Sequence, residues 1–411
     1  MRISILSSCL LIIASIFVFS SQGYSQDNFG ISLKPVDANM DTINKIPMLT
    51  GPSVLMNKNK LIWGGSVIKG DDGMYHMFFS TWNSEPGNLT FGNSWVLNSE
   101  IGYAVSKYPD REFKIRKIIL RGRNYDGDST AWDSQMVHNP HIKKFKNKYY
   151  LYYIGSFDPG KQPKGSPGES LNKRNRVQQV QKIGVIEFEK FSDLLSGNFK
   201  RPEKPLLSPR TRVKKKDVVN PSAEGTIAKP DNIIVVNPSV TYRPSDKKYL
   251  LYFKGNWYDP QWRGVHGVAI SDTPTGPFET MDAIIFDIRM PDGRIASAED
   301  PYVWYYKKYN YFYAIVKDFS GKLTGNEPGL ALLKSKDGIV WEKPGSPTYI
   351  NKEVTLRDGS KLKLAHLERP QLLLDSNGTP LVLYSACSVV SPFNFKNTGC
   401  FNIQIPLFID D

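Results

Sequence analysis

The feature that most constrains this chain is an internal repeat. Five segments share one design: a Pro or Gly turn, an apolar strand, a short polar turn, and a second strand rich in Tyr and Phe. They open at Gly64-Gly65, Asn139-Pro140, Asn237-Pro238, Asp300-Pro301 and Arg369-Pro370, and lead to Tyr75, Tyr149, Tyr249, Tyr311 and Pro380 at the starts of the second strands. The turns between paired strands, such as Asp72-Gly73 and Asn377-Gly378, are ordinary hairpin chemistry. A third strand follows in each unit, beginning near Ile101, Ile183, His266, Leu330 and Phe401. Five repeats of several strands predict an all-β fold, a five-bladed β-propeller, in which radial closure leaves few sheet edges exposed. Either the segment before Trp63 or the one after Cys387 is expected to close the ring.

The positions Gly65, Pro140, Pro238, Pro301 and Pro370 are separated by 75, 98, 63 and 69 residues. The long interval places an insertion at about residues 158–231, where basic residues cluster at 161–176 and 210–216. It reads either as a cationic lip over the channel or as a solvated loop. Helical heptads, a Walker loop, zinc-finger spacing and a dinucleotide fingerprint are missing from the sequence, so one catalytic domain over 26–411 suffices.

Residues 1–25 read as a signal peptide: Arg2, an apolar run over 3–19, then Ser20, Ser21, Gln22 and Gly23 before a cleavage point after Ser25. The run is short for a membrane anchor, and Cys9 stands too early within it for a lipid-bearing cysteine. A secreted or periplasmic location follows, without a stable membrane span. Export leaves Cys387 and Cys400, which are open to a disulfide or to two buried thiols. The formal charge of +13 favours polyanions. With export and no nucleic-acid motif, a sulfated or uronate-containing glycan is the expected partner rather than nucleic acid.

The X-Pro strand openings, the run Lys148-Tyr149-Tyr150-Leu151-Tyr152-Tyr153, and Gly267-Val268-Ala269-Ile270-Ser271-Asp272 with Gly276-Pro277-Phe278-Glu279 resemble the propeller enzymes of glycoside hydrolase families 43 and 117. The resemblance runs over residues 63–408. It implies that residues just before the shared Pro line one funnel-shaped pocket: Trp63, His138, Asn139, Asn237, Glu299, Asp300, His366, Glu368 and Arg369. Glycoside hydrolysis uses two carboxyl groups. Glu299 is the expected general acid, Asp300 or Asp133 the base, and Glu368 the group that tunes or orients them. The chain departs from the family-43 pattern because its early blades open on Gly64, Asn139 and Asn237 instead of carboxylates, whereas Ala298-Glu299-Asp300 resembles the acidic motif of family 117.

Each of these residues has a structural reading as well. Asp300 can cap a turn before Pro301, and Arg369 can neutralise Glu368 or grip a substrate anion. His138 and His141 face opposite sides of a regular strand and make a poor metal pair. His366 either bonds backbone or holds, through water, a structural channel ion such as calcium; no metal ligands or other cofactor are assigned. Trp63, Trp82, Trp132, Trp257 and Trp262 are candidates for stacking on sugar rings. Asn139, Asn237, Arg369 and the histidines also suit a lyase or dehydratase acting on uronate-containing oligosaccharides. A non-catalytic sugar-binding propeller is the third reading.

Overall fold

The repeat units become five antiparallel sheets arranged as the blades of a propeller. A computed structural model describes residues 29–83, 91–258, 261–290, 292–342, 349–394 and 398–410; the expected signal segment at 1–25 lies outside the described residues. Blade one is Leu61–Lys69, Tyr75–Trp82, Glu100–Ser106 and Lys114–Leu120. Blade two is Met136–Phe145, Lys148–Ser156 and Lys182–Phe188. Blade three is Val236–Arg243, Lys248–Tyr258, Trp262–Ser271 and Glu279–Thr280. Blade four is Ala298–Tyr306, Tyr311–Asp318, Gly329–Ser335 and Tyr349–Ile350. Blade five is His366–Leu374, Pro380–Ser388 and Phe401–Asp410, completed at its outer edge by Gly30–Leu33 from the start of the chain. Ile31 pairs with Ile409 there, so the segment before Trp63 closes the ring.

The second strands are apolar on both faces because each lies between two neighbouring blades. Tyr149, Tyr150, Leu151, Tyr152 and Tyr153 are all buried. One cluster joins Phe78 and Tyr103 of blade one to Tyr149 and Leu151 of blade two, and another joins Tyr150 and Tyr152 to Leu251 and Phe253 of blade three. Leu250 and Tyr252 in turn meet Phe312 and Val316 of blade four, and Tyr313 and Ile315 meet Leu372 and Leu383 of blade five. Met77 and Phe79 close the circle against Leu373 and Tyr384. Burying each such side chain contributes about 1.5–3 kcal/mol. Alternating faces of one strand thus serve two interfaces.

A polar belt joins the five inner strands. Ser66 Oγ accepts from the Ile142 N–H (3.0 Å) and donates to Gln371 Oε1 (3.1 Å). His141 Nε2 accepts from the Val240 N–H (3.0 Å), which leaves Nδ1–H to donate to the same Gln371 oxygen (2.9 Å). Ser239 Oγ accepts from the Val303 N–H (2.9 Å), and Tyr302 donates to Leu372 O (2.9 Å). Burial pushes the His141 imidazole well below its ordinary pKa, so it stays neutral, as an acceptor at Nε2 must. His141 is therefore an axial tie between blades two, three and five.

Each inner strand also carries a register slip at its opening dipeptide, between Trp63 and Ser66, Val236 and Ser239, Glu299 and Tyr302, and Glu368 and Gln371, with the matching slip in blade two opposite Tyr152 and Ile154. The residue ahead of the shared proline sits at positive φ in every such blade: Asn139 (47°), Asn237 (58°), Asp300 (55°) and Arg369 (51°), with Gly64 (66°) in blade one. Asn, Asp and Gly tolerate this region; arginine is strained there. The bulges bring two consecutive residues to a central cavity in blades two, three and four, and one each, Trp63 and Glu368, in blades one and five.

Candidate active site

The bulges open into a cavity of about 380 Å³ at one end of the channel. Its floor is Asn139, Asn237 and Asp300, where Asn139 Nδ2 donates to Asn237 Oδ1 (2.8 Å) and the Asn139 N–H donates to Ser80 Oγ (2.8 Å). Arg369 lies under this floor, 1% exposed, outside the residues that line the cavity. Its Nη2 donates to Asn139 O (3.3 Å) and its Nη1 is 3.7 Å from Asp300 Oδ1. The expectation that Arg369 neutralises Glu368 or grips substrate directly is corrected, because the left-handed backbone turns its side chain beneath the floor. That placement also explains why blade one carries no carboxylate. A Cβ at Gly64 would stand 3.1 Å from Arg369 Cγ, and one at Gly65 would stand 2.6 Å from Asn402 Nδ2.

Two acidic groups converge on the wall between blades four and five. Glu299 pairs with Lys254 through Oε1, and its Oε2 is 3.7 Å from Lys317 Nζ. Glu368 Oε2 is 2.7 Å from the same ammonium, and its Oε1 is 3.9 Å from His366 Nε2. Both lysines come from second strands, opposite the bulges: Lys254 pairs in register with Val236, and Lys317 with Glu299. Residue-by-residue reading of the inner strands missed them. The available signal was a lysine ending an otherwise unbroken apolar strand, in Tyr249–Lys254 and again in Tyr311–Lys317.

These neighbours set opposite protonation states on adjacent residues. Burial pushes the Glu299 carboxyl up, but the charges of Lys254 and Lys317 outweigh it and hold the group well below the usual carboxylate range. Asp300 is raised well above that range by burial, with the Glu299 charge added, and Arg369 and Lys317 only partly offset the two. Burial likewise lowers His138 to about 3, helped by Arg369. His138 gives Nδ1 to Ser99 Oγ (2.7 Å) and stacks on Trp95 at 4.6 Å. His366 is lowered by burial against the opposing charge of Glu368, and its Nδ1 meets Ser388 Oγ (2.8 Å). Both imidazoles are neutral at pH 7.

Aromatic rings line the upper wall. Trp63 meets Phe91 edge-on (4.9 Å), Trp82 lies beside His138, and the half-exposed Trp262 carries Lys254 Nζ 5.0 Å from its ring centre. Phe319 carries Lys317 Nζ at 4.1 Å. Helix α1 (Phe91–Asn98), inserted in blade one, supplies Phe91 and Trp95. Helix α2 (Lys173–Gln178), from the long insertion, packs on α1; Arg174 Nη2 donates to Gly92 O (3.1 Å), and Arg174 and Gln178 reach the cavity. The cluster at 210–216 does not line it, and Arg210 instead clamps Asp231 (2.9 Å) and Asp282 (2.7 Å).

The structure brings together Trp63, His138, Asn139, Asn237, Glu299, Asp300 and Glu368, with His366 in an adjoining hollow that shares Trp63, Lys317 and Glu368. It does not bring Asp133. That side chain is fully buried inside blade two, held by Arg201 (2.6 Å), Arg123 (3.0 Å) and the Tyr153 hydroxyl (2.8 Å), so the expectation that it reaches the channel as a base is corrected. Trp132 packs on Tyr153 in the same core, and Trp257 donates to Lys229 O; neither lines the cavity. Cys387 and Cys400 are free buried thiols. Among the described residues no group of three or more His, Cys, Asp or Glu is placed to ligate a channel metal directly. Lys254, Lys317 and the Arg369 guanidinium already supply positive charge there.

No family model matches the chain, and no curated protein matches it. Among solved structures, Zg3597, a family 117 glycoside hydrolase produced by the marine bacterium Zobellia galactanivorans, is similar with a TM-score of 0.50 at 16% identity over 93% of this chain and 90% of that one. BT0996, solved as an RGII complex, gives a TM-score of 0.55 at 12% identity, covering 86% of this chain and 90% of that one. The catalytic domain of the Coprinopsis cinerea GH62 α-L-arabinofuranosidase gives 0.52 at 12% identity, covering 91% and 98%. At these identities the likeness is one of fold, and the chain has a five-bladed β-propeller in common with glycoside hydrolases.

Proposed function

We propose that this protein is a glycoside hydrolase acting on the chain ends of anionic, sulfated or uronate-containing oligosaccharides, and that the pattern of residues 1–25 exports it. The observation that carries the reading is the pair of consecutive carboxyls in one closed-bottomed cavity, Asp300 raised to about 7 and Glu299 held ionised. Environments that push two carboxyls apart supply the acid and the base that glycoside cleavage needs. The roles expected for Glu299 and Asp300 are therefore exchanged. Asp300 donates its proton to the glycosidic oxygen as the C–O bond breaks, and the aglycone leaves as an alcohol. Glu299 faces the positive charge growing at the anomeric carbon and takes the proton of the water that captures it. One water is consumed per bond cleaved.

The remaining residues bind and orient. Lys254, Lys317, Arg174 and the subjacent Arg369 outnumber the charges of Glu299 and Glu368, which supports an anionic sugar in the pocket. Trp63 and Trp262 offer faces to sugar rings. Asn237 and His138 present hydrogen-bonding atoms that no described residue uses, as a sugar hydroxyl requires.

The test is mass spectrometry of a panel of uronate-containing, sulfated and neutral oligosaccharides after incubation with the protein. Terminal release with gain of one water per bond from the anionic members is expected. Unsaturated fragments would instead mean elimination, and unchanged masses across a panel that binds would mean a sugar-binding propeller.

A further inference from the structure

A second hollow, of about 570 Å³, borders the C-terminal end of helix α1, between blades one and two. Residues Leu97 and Asn98 at the end of the helix form one wall, and Glu100, Arg121, Tyr125 and Gln135 form the rest. Phe91 and Trp95 of the same helix line the central cavity, and the adjoining Ser99 holds His138 there. Helix α1 thus borders both hollows, at its start and at its end.

We propose that this hollow is a second sugar-binding site, which takes an anionic residue of another oligosaccharide of the same class on Arg121 and Tyr125. The choice of ligand rests on the function proposed above; the site rests on its own chemistry. Glu100 spends both oxygens, one on Arg121 Nε (2.7 Å) and one on Lys60 Nζ (3.2 Å), so one positive charge is left over. Arg121 Nε stands 2.7 Å from that carboxylate as an ion pair without hydrogen-bond alignment, and among the described residues its two Nη groups make no hydrogen bond. A guanidinium fixed at one edge and free at the other offers a fork of donors to a carboxylate or sulfate. The Arg121 guanidinium lies 4.3 Å from the Tyr125 ring centre, which fixes the ring, and Tyr125 is nevertheless 71% exposed. A large aromatic held rigid and left open suits a sugar ring. Gln135 donates Nε2 to Leu97 O (2.9 Å), and among the described residues neither its oxygen nor the Asn124 side-chain amide beside it has a partner. Amides of this kind recognise sugar hydroxyls.

Titration calorimetry tests the site, with a galacturonate hexasaccharide and a sulfated galactan hexasaccharide as probes and a neutral galactan hexasaccharide as control. Two binding events are expected with an anionic probe. Tyr125→Ala should abolish one or weaken it at least tenfold and leave the other within twofold; Arg121→Gln should do the same, with an unchanged melting temperature for Tyr125→Ala as the check on folding. Turnover of a disaccharide that occupies only the central cavity should not change in Tyr125→Ala. A single event removed by Tyr125→Ala would uphold this site and count against the central one. Events untouched by both substitutions, no heat with either anionic probe, or equal binding of the neutral hexasaccharide would overturn the proposal. Response to only one anionic probe would identify carboxylate or sulfate as the group held.

Discussion

Replacing Lys317 by Met should destabilise the protein by about 3–5 kcal/mol at pH 7, the usual cost of removing one partner from a buried ion pair. The ammonium serves two carboxylates, at 2.7 Å from Glu368 and 3.7 Å from Glu299, and its side chain is only 14% exposed. Each pair at about 4 Å interacts by roughly 4 kcal/mol at an effective dielectric of about 20, and desolvation of the lysine offsets part of the total. The sign with pH follows from the wild-type shift. Glu299 lies below its unfolded value, so the stability it contributes is present above about pH 4.3 and is lost as pH falls through the folded value. Without Lys317 the Glu299 carboxylate loses part of that support and its folded value rises. The deficit of Lys317→Met is therefore largest at neutral pH and shrinks as pH falls toward about 4. Urea denaturation at pH 7 and pH 4.5 measures both numbers, and a Lys317→Met, Glu299→Gln, Glu368→Gln triple variant should recover much of the loss. A deficit under about 1 kcal/mol at pH 7, the worth of an exposed pair, would refute the reasoning.

On a substrate that the parent converts, Asp300→Asn and Glu299→Gln should each slow turnover by roughly 10²–10⁴-fold, the worth of a positioned acid or base, while Asp72→Asn in a blade-one hairpin turn should not. Because Asp300 works protonated and is raised above the ordinary carboxylate range, activity should hold through weakly acid pH and fall as pH rises through its folded value; an alkaline limb near pH 4 in the rate profile would exclude it as the acid. Calorimetry at two ionic strengths should show affinity for an anionic oligosaccharide weakening with salt, since exposed charges are screened over about 10 Å at 0.1 M. His141→Leu leaves the Val240 N–H unpaired, while Gln371 Oε1 keeps the Ser66 hydroxyl, and should cost about 1–3 kcal/mol in thermal or urea unfolding.

The blade framework is legible in the sequence because it is written in a two-residue period and in turn residues. Tyr149–Tyr153 announces a strand covered on both faces, and the X-Pro dipeptides mark where each inner strand bends. Glu299, Asp300, Asn139 and Asn237 could be placed at the axis for the same reason. What the sequence hides is whatever depends on register across a bulge. Lys254 and Lys317 reach the cavity only because a slipped pairing puts them opposite Val236 and Glu299. The roles of the two carboxyls turn on those lysines, so they could not be assigned without them. Arg369 is misread along a straight strand because positive φ carries it under the floor. Asp133 is misread because its two arginine partners, Arg123 and Arg201, are far from each other in the chain and meet only when the insertion folds back.

The outer strand of blade five has a kinetic consequence. Gly30–Leu33 must find Phe401–Asp410 across nearly the whole chain, so the sheet that shuts the ring is the contact of greatest sequence separation. Closing so long a loop adds little equilibrium cost, since that cost grows only with the logarithm of length. Its effect falls on rates: contacts so non-local make folding slow. The four paired residues then act as a latch. Blades one to four can assemble by local hairpins and wait, and the finished ring is then held by this short strand together with the apolar seam of Met77 and Phe79 against Leu373 and Tyr384.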